Sequence, residues 1–258
     1  MTPDMQKPKI PVFERWFGTW QIAVSRRGYS VDDLRQAYDD EASMWTGKLT
    51  KLGFLEAYQH LMTSFAKGGS TVGGAPLRVL DCGVGTGALS RAFANEMTDV
   101  FDLSVVDISP SMLSEAQSNL AALPRRFEGR IADIQDLPFP DASFDRVICA
   151  HTIEHLAGPE AAISEMCRVL RPGGKLLLVL TRKSAFGTYI HLKWRTQRLD
   201  PGVVKTWLGH HGLGDLEELP VGQRAWTRLW STAIAGRKTN AGHQSLQDNT
   251  DASFRRTA

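Results

Sequence analysis

Cysteine is scarce in this chain. Three residues among 258, an odd number, exclude a disulfide-stapled scaffold. Long apolar runs are missing as well. The longest strongly apolar stretch, residues 176–180, falls far short of the roughly 20 residues needed to cross a bilayer. Nor is there an excess of one charge. The 30 Lys and Arg stand against 28 Asp and Glu, a net +2, whereas a protein that coats nucleic acid needs a strong basic excess. Residues 1–11 are polar and broken by proline, without the apolar core of a signal peptide. These absences describe a soluble protein of a reducing compartment, expected in the cytoplasm and without a nucleic-acid partner. At 258 residues the chain can bury most of its apolar surface without staples.

What is present falls into three regions. Residues 1–75 read as an N-terminal helical cap. Ser30 followed by Asp33 is an N-cap with an acidic reciprocal partner. Leu49, Leu52, Leu55, Tyr58, Leu61, Met62 and Phe65 recur at the three- and four-residue spacing of one helix face. A Gly- and Ser-rich stretch at 68–74 ends the cap. Residues 76–236 form the main domain. Short apolar runs at 77–80, 103–106, 144–149 and 175–180 alternate there with helical patterns, two of them opened by Ser109-Pro110 and by Pro159. The alternation implies βαβ units and a mostly parallel sheet covered on both faces. A short helix at 201–211 is followed by strand-like runs around 216–221 and 229–235. Residues 237–258, rich in Asn, Gln, Ser, Asp and Thr, read as a disordered tail.

The sharpest local feature is Val-Leu-Asp-Cys-Gly-Val-Gly-Thr-Gly at 79–87. A buried strand runs into a glycine turn that opens a helix, which lets a ligand approach the backbone and the free N–H groups of the helix start. Asp107 ends the next strand, 20 residues after Gly87, where a carboxylate meets the hydroxyls of a ribose. Those two features suit a dinucleotide or an adenosyl ligand alike. Asp81, just before the first glycine, repels a pyrophosphate and suits an ammonium group. Asp133, followed by Ile134, offers an acceptor for an adenine amine beside an apolar side chain for the ring. The combination favours S-adenosylmethionine, which carries an ammonium and no phosphate.

Residues 77–181 resemble the class I S-adenosylmethionine-dependent methyltransferases, most closely the small-molecule branch that includes quinone-biosynthesis C-methyltransferases. The resemblance rests on segments 79–87, 105–113, 132–139, 143–151 and 169–176, in that order. It implies an α/β, Rossmann-like fold with a seven-stranded mostly parallel sheet in the order 3-2-1-4-5-7-6, strand 7 antiparallel. It also implies roles for particular residues. Asp81, Gly83, Gly85 and Gly87 would line the methionine end of the cofactor. Asp107 would hold the ribose, Ile108 and Met112 would lie against the adenine, and Asp133 and Ile134 would address the adenine edge and face. Ala150 and His151 would border the sulfonium.

The acceptor side is expected from four places. His151 and His155 are candidate catalytic bases. They are not a metal site, because Thr152 stands where the zinc-protease pattern needs a Glu. Residues 182–199 form a lid insertion with five bases and no acid, which suggests an anionic acceptor, and Tyr189 and His191 within it are candidate substrate contacts. Tyr38 is a third, from a tyrosine-acid pair that resembles one in helices closing over the cofactor. Residues 12–22, with Phe13, Trp16, Phe17 and Trp20, suit a peripheral membrane helix or, by preference, rings buried against the core. The three cysteines fall in core elements and read as structural. The function expected is methyl transfer to a small-molecule or lipid-like, possibly anionic, acceptor. The alternatives are a nucleic-acid methyltransferase or a cofactor-binding regulatory protein without turnover.

Overall fold

The computed structural model describes residues 9–27, 30–66, 75–123 and 127–239. The glycine-rich stretch at 68–74 and the tail from residue 240 lie outside them.

The N-terminal region begins with strands, not a helix. Strands β1 (Lys9–Phe17) and β2 (Trp20–Arg27) pair as an antiparallel hairpin. Gly18, with φ at +60°, takes the first position of a two-residue turn, the place such hairpins reserve for glycine. The helix expected over residues 12–22 is therefore replaced by strands, and the preferred burial of the rings fails at the two tryptophans. There is no helix, and Trp16 and Trp20 are 62% and 78% exposed. The apolar content was legible; the period of two and the Gly18-Thr19 turn were the signals passed over.

Helix α1 (Val31–Lys51) starts at the capping box foreseen, Ser30 with Asp33. Helix α2 (Phe54–Phe65) follows at once, so the regular spacing from Leu49 to Phe65 is shared between two helices. Gly53, with φ at +75°, makes the break. The apolar face of α2 (Phe54, Ala57, Tyr58, Leu61, Met62, Phe65) is buried in the main core.

The body is a seven-stranded sheet. Its strands are β3 (Leu77–Cys82), β4 (Phe101–Asp107), β5 (Phe127–Ile131), β6 (Phe144–Ala150), β7 (Leu170–Thr181), β8 (Leu213–Pro220) and β9 (Ser231–Lys238). Their order is β5-β4-β3-β6-β7-β9-β8. β9 runs antiparallel between β7 and β8, and the other pairings are parallel. Renumbered within the sheet, this is 3-2-1-4-5-7-6 with strand 7 antiparallel, the fold the resemblance implied. β7 starts five residues before the regular run at Lys175, because Leu170 pairs with Phe144 ahead of an irregularity in the register.

Alternate residues of each central strand leave opposite faces, and both faces are covered. Val79, Val105, Ile148 and Val179 pack under α2, α3 (Ala88–Glu96) and α4 (Pro110–Leu120). Leu80, Val106, Val147 and Leu178 pack against α5 (Pro159–Val169) and α7 (Pro201–His210). Hence the strands read as continuous apolar runs. The lid insertion contains α6 (Ala185–Trp194), and α8 (Ala225–Trp230) takes residues 229 and 230 out of the expected late strand. β9 extends to Lys238, past the expected start of the tail. No helix among the described residues is long and apolar enough to cross a membrane.

Candidate active site

The carboxyl ends of β3, β4, β6 and β7 open into one cavity of about 460 Å³, the position where open α/β sheets take ligands. β3 delivers Asp81 to its floor, and the glycine turn follows. Gly83 has φ at +73°, and a Cβ there would collide with Thr152, meeting its Cβ at 2.8 Å. Gly85 has φ at +52° and open space where a side chain would go. Thr86 is buried on the same wall, and its Oγ1 has no hydrogen-bond partner among the described residues. Gly87 departs from its expected role. It caps α3 against Leu120 and does not line the cavity.

Three carboxylates face this space. Asp81 accepts from the Ser90 hydroxyl at 2.6 Å. Burial pushes its carboxyl up to about 7; the Ser90 bond opposes that and nearby Asp107 adds to it. Asp107 accepts from the amides of Gly85 (2.8 Å) and Ser109 (2.9 Å). Burial nevertheless raises its carboxyl above the ordinary range. Asp133 accepts from the Gln135 amide at 2.9 Å. Ile108, Met112, Ile134 and Ala150 line the cavity beside them.

The opposite wall is aromatic. Tyr38 of α1 stacks on Trp194 of α6, centroids 5.5 Å apart and planes within 8°, and Trp45 sets its edge on both. Asp39, next to Tyr38, accepts from the hydroxyl of Ser109 and the amide of Ser111. The tyrosine-acid pair thus ties α1 to the start of α4 and aims the ring over the cavity. The Tyr38 hydroxyl lies 2.8 Å from His155 Nε2. Burial pushes the His155 imidazole down to about 4, so it is neutral near pH 7 and accepts from Tyr38.

His151 and His155 do not share a helix face. His151 follows β6 directly, with φ at +53°, a strained backbone for a residue with a side chain. His155 closes a short 3-10 turn, Ile153–His155. The His151 Nδ1 faces Thr181 Oγ1 at 3.2 Å and Glu154 Oε2 at 3.7 Å, while Nε2 faces Ser231 Oγ at 3.4 Å. Buried Glu154 also accepts from the amide (2.6 Å) and hydroxyl (3.0 Å) of Thr181. Burial raises its carboxyl, but the His151 and Thr181 donors outweigh this and hold it below the ordinary range. Among the described residues no group of three or more His, Cys, Asp or Glu is arranged to hold a metal.

The lid insertion supplies Tyr189, Lys193 and Trp194 to the cavity. His191 points elsewhere: it is buried, and its Nδ1 pairs with the Thr196 hydroxyl. The five bases are dispersed. Lys183 pairs with Asp200 at 3.1 Å, Arg182 approaches Glu218 at 3.6 Å, and Arg198 donates to Thr188 at 2.9 Å. Only Lys193 of the five reaches the lining, so the run of bases does not form an anion site over the cavity. Sequence reading overlooked Trp230, Ser231 and Thr181, which border the cavity from β7 and the α8–β9 junction. Nothing in their immediate sequence marks them. Cys82, Cys149 and Cys167 are buried. Burial pushes the Cys149 and Cys167 thiols up to about 12, which makes both unreactive.

A carboxylate at each of the three strand ends, a glycine turn open at Gly85 and an unpartnered hydroxyl at Thr86 suit an adenosyl amino acid. With the sheet order, they define the class. The domain has the fold and the strand-end acids of the class I S-adenosylmethionine-dependent methyltransferases, a family whose cofactor is S-adenosylmethionine. A family model described as a methyltransferase domain matches residues 80–178. The chain is 39% identical over 169 residues to a ubiquinone/menaquinone biosynthesis C-methyltransferase of Chromobacterium violaceum, covering 63% of this chain and 64% of the relative. Against the protein of the same description in Laribacter hongkongensis it is 39% identical over 111 residues, covering 43% and 46%. The chain thus spans less than two thirds of the length of either relative. Among solved structures, a putative methyltransferase of Haloferax volcanii, determined with the Trm112 methyltransferase activator, shares the fold. Its TM-score is 0.66 at 18% identity, over 81% of this chain and 99% of that one.

Proposed function

We propose that the protein is an S-adenosylmethionine-dependent methyltransferase acting on a small, lipid-like acceptor with a flat ring, of the phenol or quinol type. The observation that carries this reading is one cavity with Asp81, Asp107 and Asp133 on one wall and the Tyr38–Trp194 stack on the other. Both quinone-biosynthesis relatives support the ring.

The chain's own residues bind, orient and shield. Asp107 accepts from ribose hydroxyls, Asp133 from the adenine amine, and Asp81 meets the ammonium. When bound, the cofactor supplies a methyl group activated by its sulfonium charge. The protein has to align the acceptor and exclude water, which falls to the helices α1 and α6. The aromatic wall gives a flat ring a stacking surface. A ring hydroxyl lying on Tyr38 can pass its proton to the Tyr38 oxygen as the Tyr38 proton moves to His155. His151, held on both ring nitrogens, shapes the floor with Glu154 and Thr181.

The test is transfer of an isotopically labelled methyl group. Three acceptors are offered: a prenylated phenol or quinol, a phosphorylated amine, and a mixed RNA. Label in the prenylated ring is expected. Label in the RNA or the phosphorylated amine, with none in the ring, would overturn the acceptor class.

A further inference from the structure

The β1–β2 hairpin has no role in the cavity. It is a two-stranded ribbon, and no element of the body packs broadly against it among the described residues. Ribbons of this kind are marginal in water by themselves. Its tip nevertheless carries two of the most exposed large apolar side chains of the described residues, Trp20 at 78% and Trp16 at 62%. Tryptophan is seldom so exposed unless something covers it. Ile22, 49% exposed, lies on the Trp20 face directly opposite Arg15. Trp16, opposite Gln21, projects from the other face, so the tip offers indole on both sides of a narrow ribbon.

Charge selects the partner. Residues 9–27 hold four bases, Lys9, Arg15, Arg26 and Arg27, and one acid, Glu14. The register places Lys9 against Arg27 at the base of the hairpin, and the tryptophans stand at the tip. A ribbon with exposed indoles at its tip and a basic excess in its sequence suits a lipid surface, where indole rings settle at headgroup depth and bases meet anionic headgroups.

We propose that the hairpin anchors the protein to the surface of an anionic lipid bilayer through Trp16 and Trp20, with the bases of residues 9–27 supplying the charge preference. The anchor lies on the surface and crosses nothing. It holds whether or not the acceptor is a quinol, since it concerns a surface outside the cavity.

The test is co-sedimentation of the full chain with vesicles of phosphatidylcholine alone or mixed equally with phosphatidylglycerol. Binding to the anionic vesicles is expected to exceed binding to the neutral ones by at least about fivefold, the effect of a single base at such a surface, and to weaken with added salt. The double variant Trp16→Ser, Trp20→Ser is expected to lose about tenfold or more in vesicle affinity while keeping its unfolding temperature and S-adenosylhomocysteine affinity. No preference for anionic vesicles, or unchanged binding by the double variant, would overturn the proposal. So would dimers in vesicle-free solution that the same two substitutions abolish, because a second copy of the chain would then be what covers the tip.

Discussion

Replacing Gly83 and Gly85 separately by alanine separates what holds the cavity together from what leaves it open. At Gly83 two penalties add. The backbone, at φ +73°, costs a side-chain-bearing residue about 1–2 kcal/mol. The new Cβ also overlaps Thr152, whose hydroxyl donates to the Ala150 carbonyl at 3.0 Å and to that of Gly83 at 3.3 Å. Moving that side chain is overpacking of a tight site, worth about 1–3 kcal/mol. The sum is about 3 kcal/mol, or a fall in unfolding temperature of about 10 °C for a domain of this size. At Gly85, with φ at +52°, only the backbone penalty applies, because a Cβ meets no atom within 4 Å. The fall should be about 5 °C. Yet Gly85 lines the cavity, so the added methyl takes ligand space, and cofactor affinity should drop about tenfold, or about 1.4 kcal/mol. Thermal unfolding and calorimetry with S-adenosylhomocysteine on both variants measure the two effects. Gly85→Ala binding as tightly as the unaltered chain, or Gly83→Ala unfolding at the unaltered temperature, would refute the reasoning.

Three further outcomes are expected. His155 in the folded chain takes up its proton only near pH 4, whereas the unfolded chain does so near 6.5. Stability should therefore fall as pH drops from 6.5 toward 4, by up to about 3 kcal/mol, with no change from this group above pH 7; denaturant titrations of the unaltered chain and His155→Gln check it. Asp81, pushed up to about 7, is half-protonated near neutrality, and an ammonium ligand favours the ionised form. Cofactor affinity should then rise with pH up to about 7 and level off above it, with protons released on binding at pH 6, readable from the buffer dependence of the calorimetric heat. Affinity that does not change between pH 5.5 and 8 would count against the ammonium assignment. Tyr38→Phe should leave cofactor affinity intact and lower methyl transfer to a phenolic acceptor about a hundredfold.

Much of the body was legible because its signals are local. Continuous apolar strands, the caps at Ser109-Pro110 and Ser30, and the acids at strand ends each depend on a few neighbours, and strand ends on one side of a parallel sheet must converge. The acceptor wall is different in kind. Tyr38, Trp45 and Trp194 meet across about 150 residues of sequence, and nothing near any one of them announces the other two. The lid bases misled for the same reason. A run without acids looks unbalanced until Asp200, Glu218 and Glu41 arrive from other elements. Gly87 and His191 were the right residue types in the right stretches, yet packing gave each another partner. The hairpin at residues 9–27 failed on period. Aromatic content drew attention there, while the alternation and the Gly18 turn carried the structure.

The most direct test of the account is calorimetric titration of S-adenosylmethionine and S-adenosylhomocysteine into the full chain and into Asp107→Ala. The account predicts binding of both ligands at one site, and a loss of at least about tenfold in the variant, since a charged acceptor for the ribose hydroxyls is worth about 1.5–3 kcal/mol. Absence of binding by the unaltered chain, or binding that Asp107→Ala leaves unchanged, would contradict it.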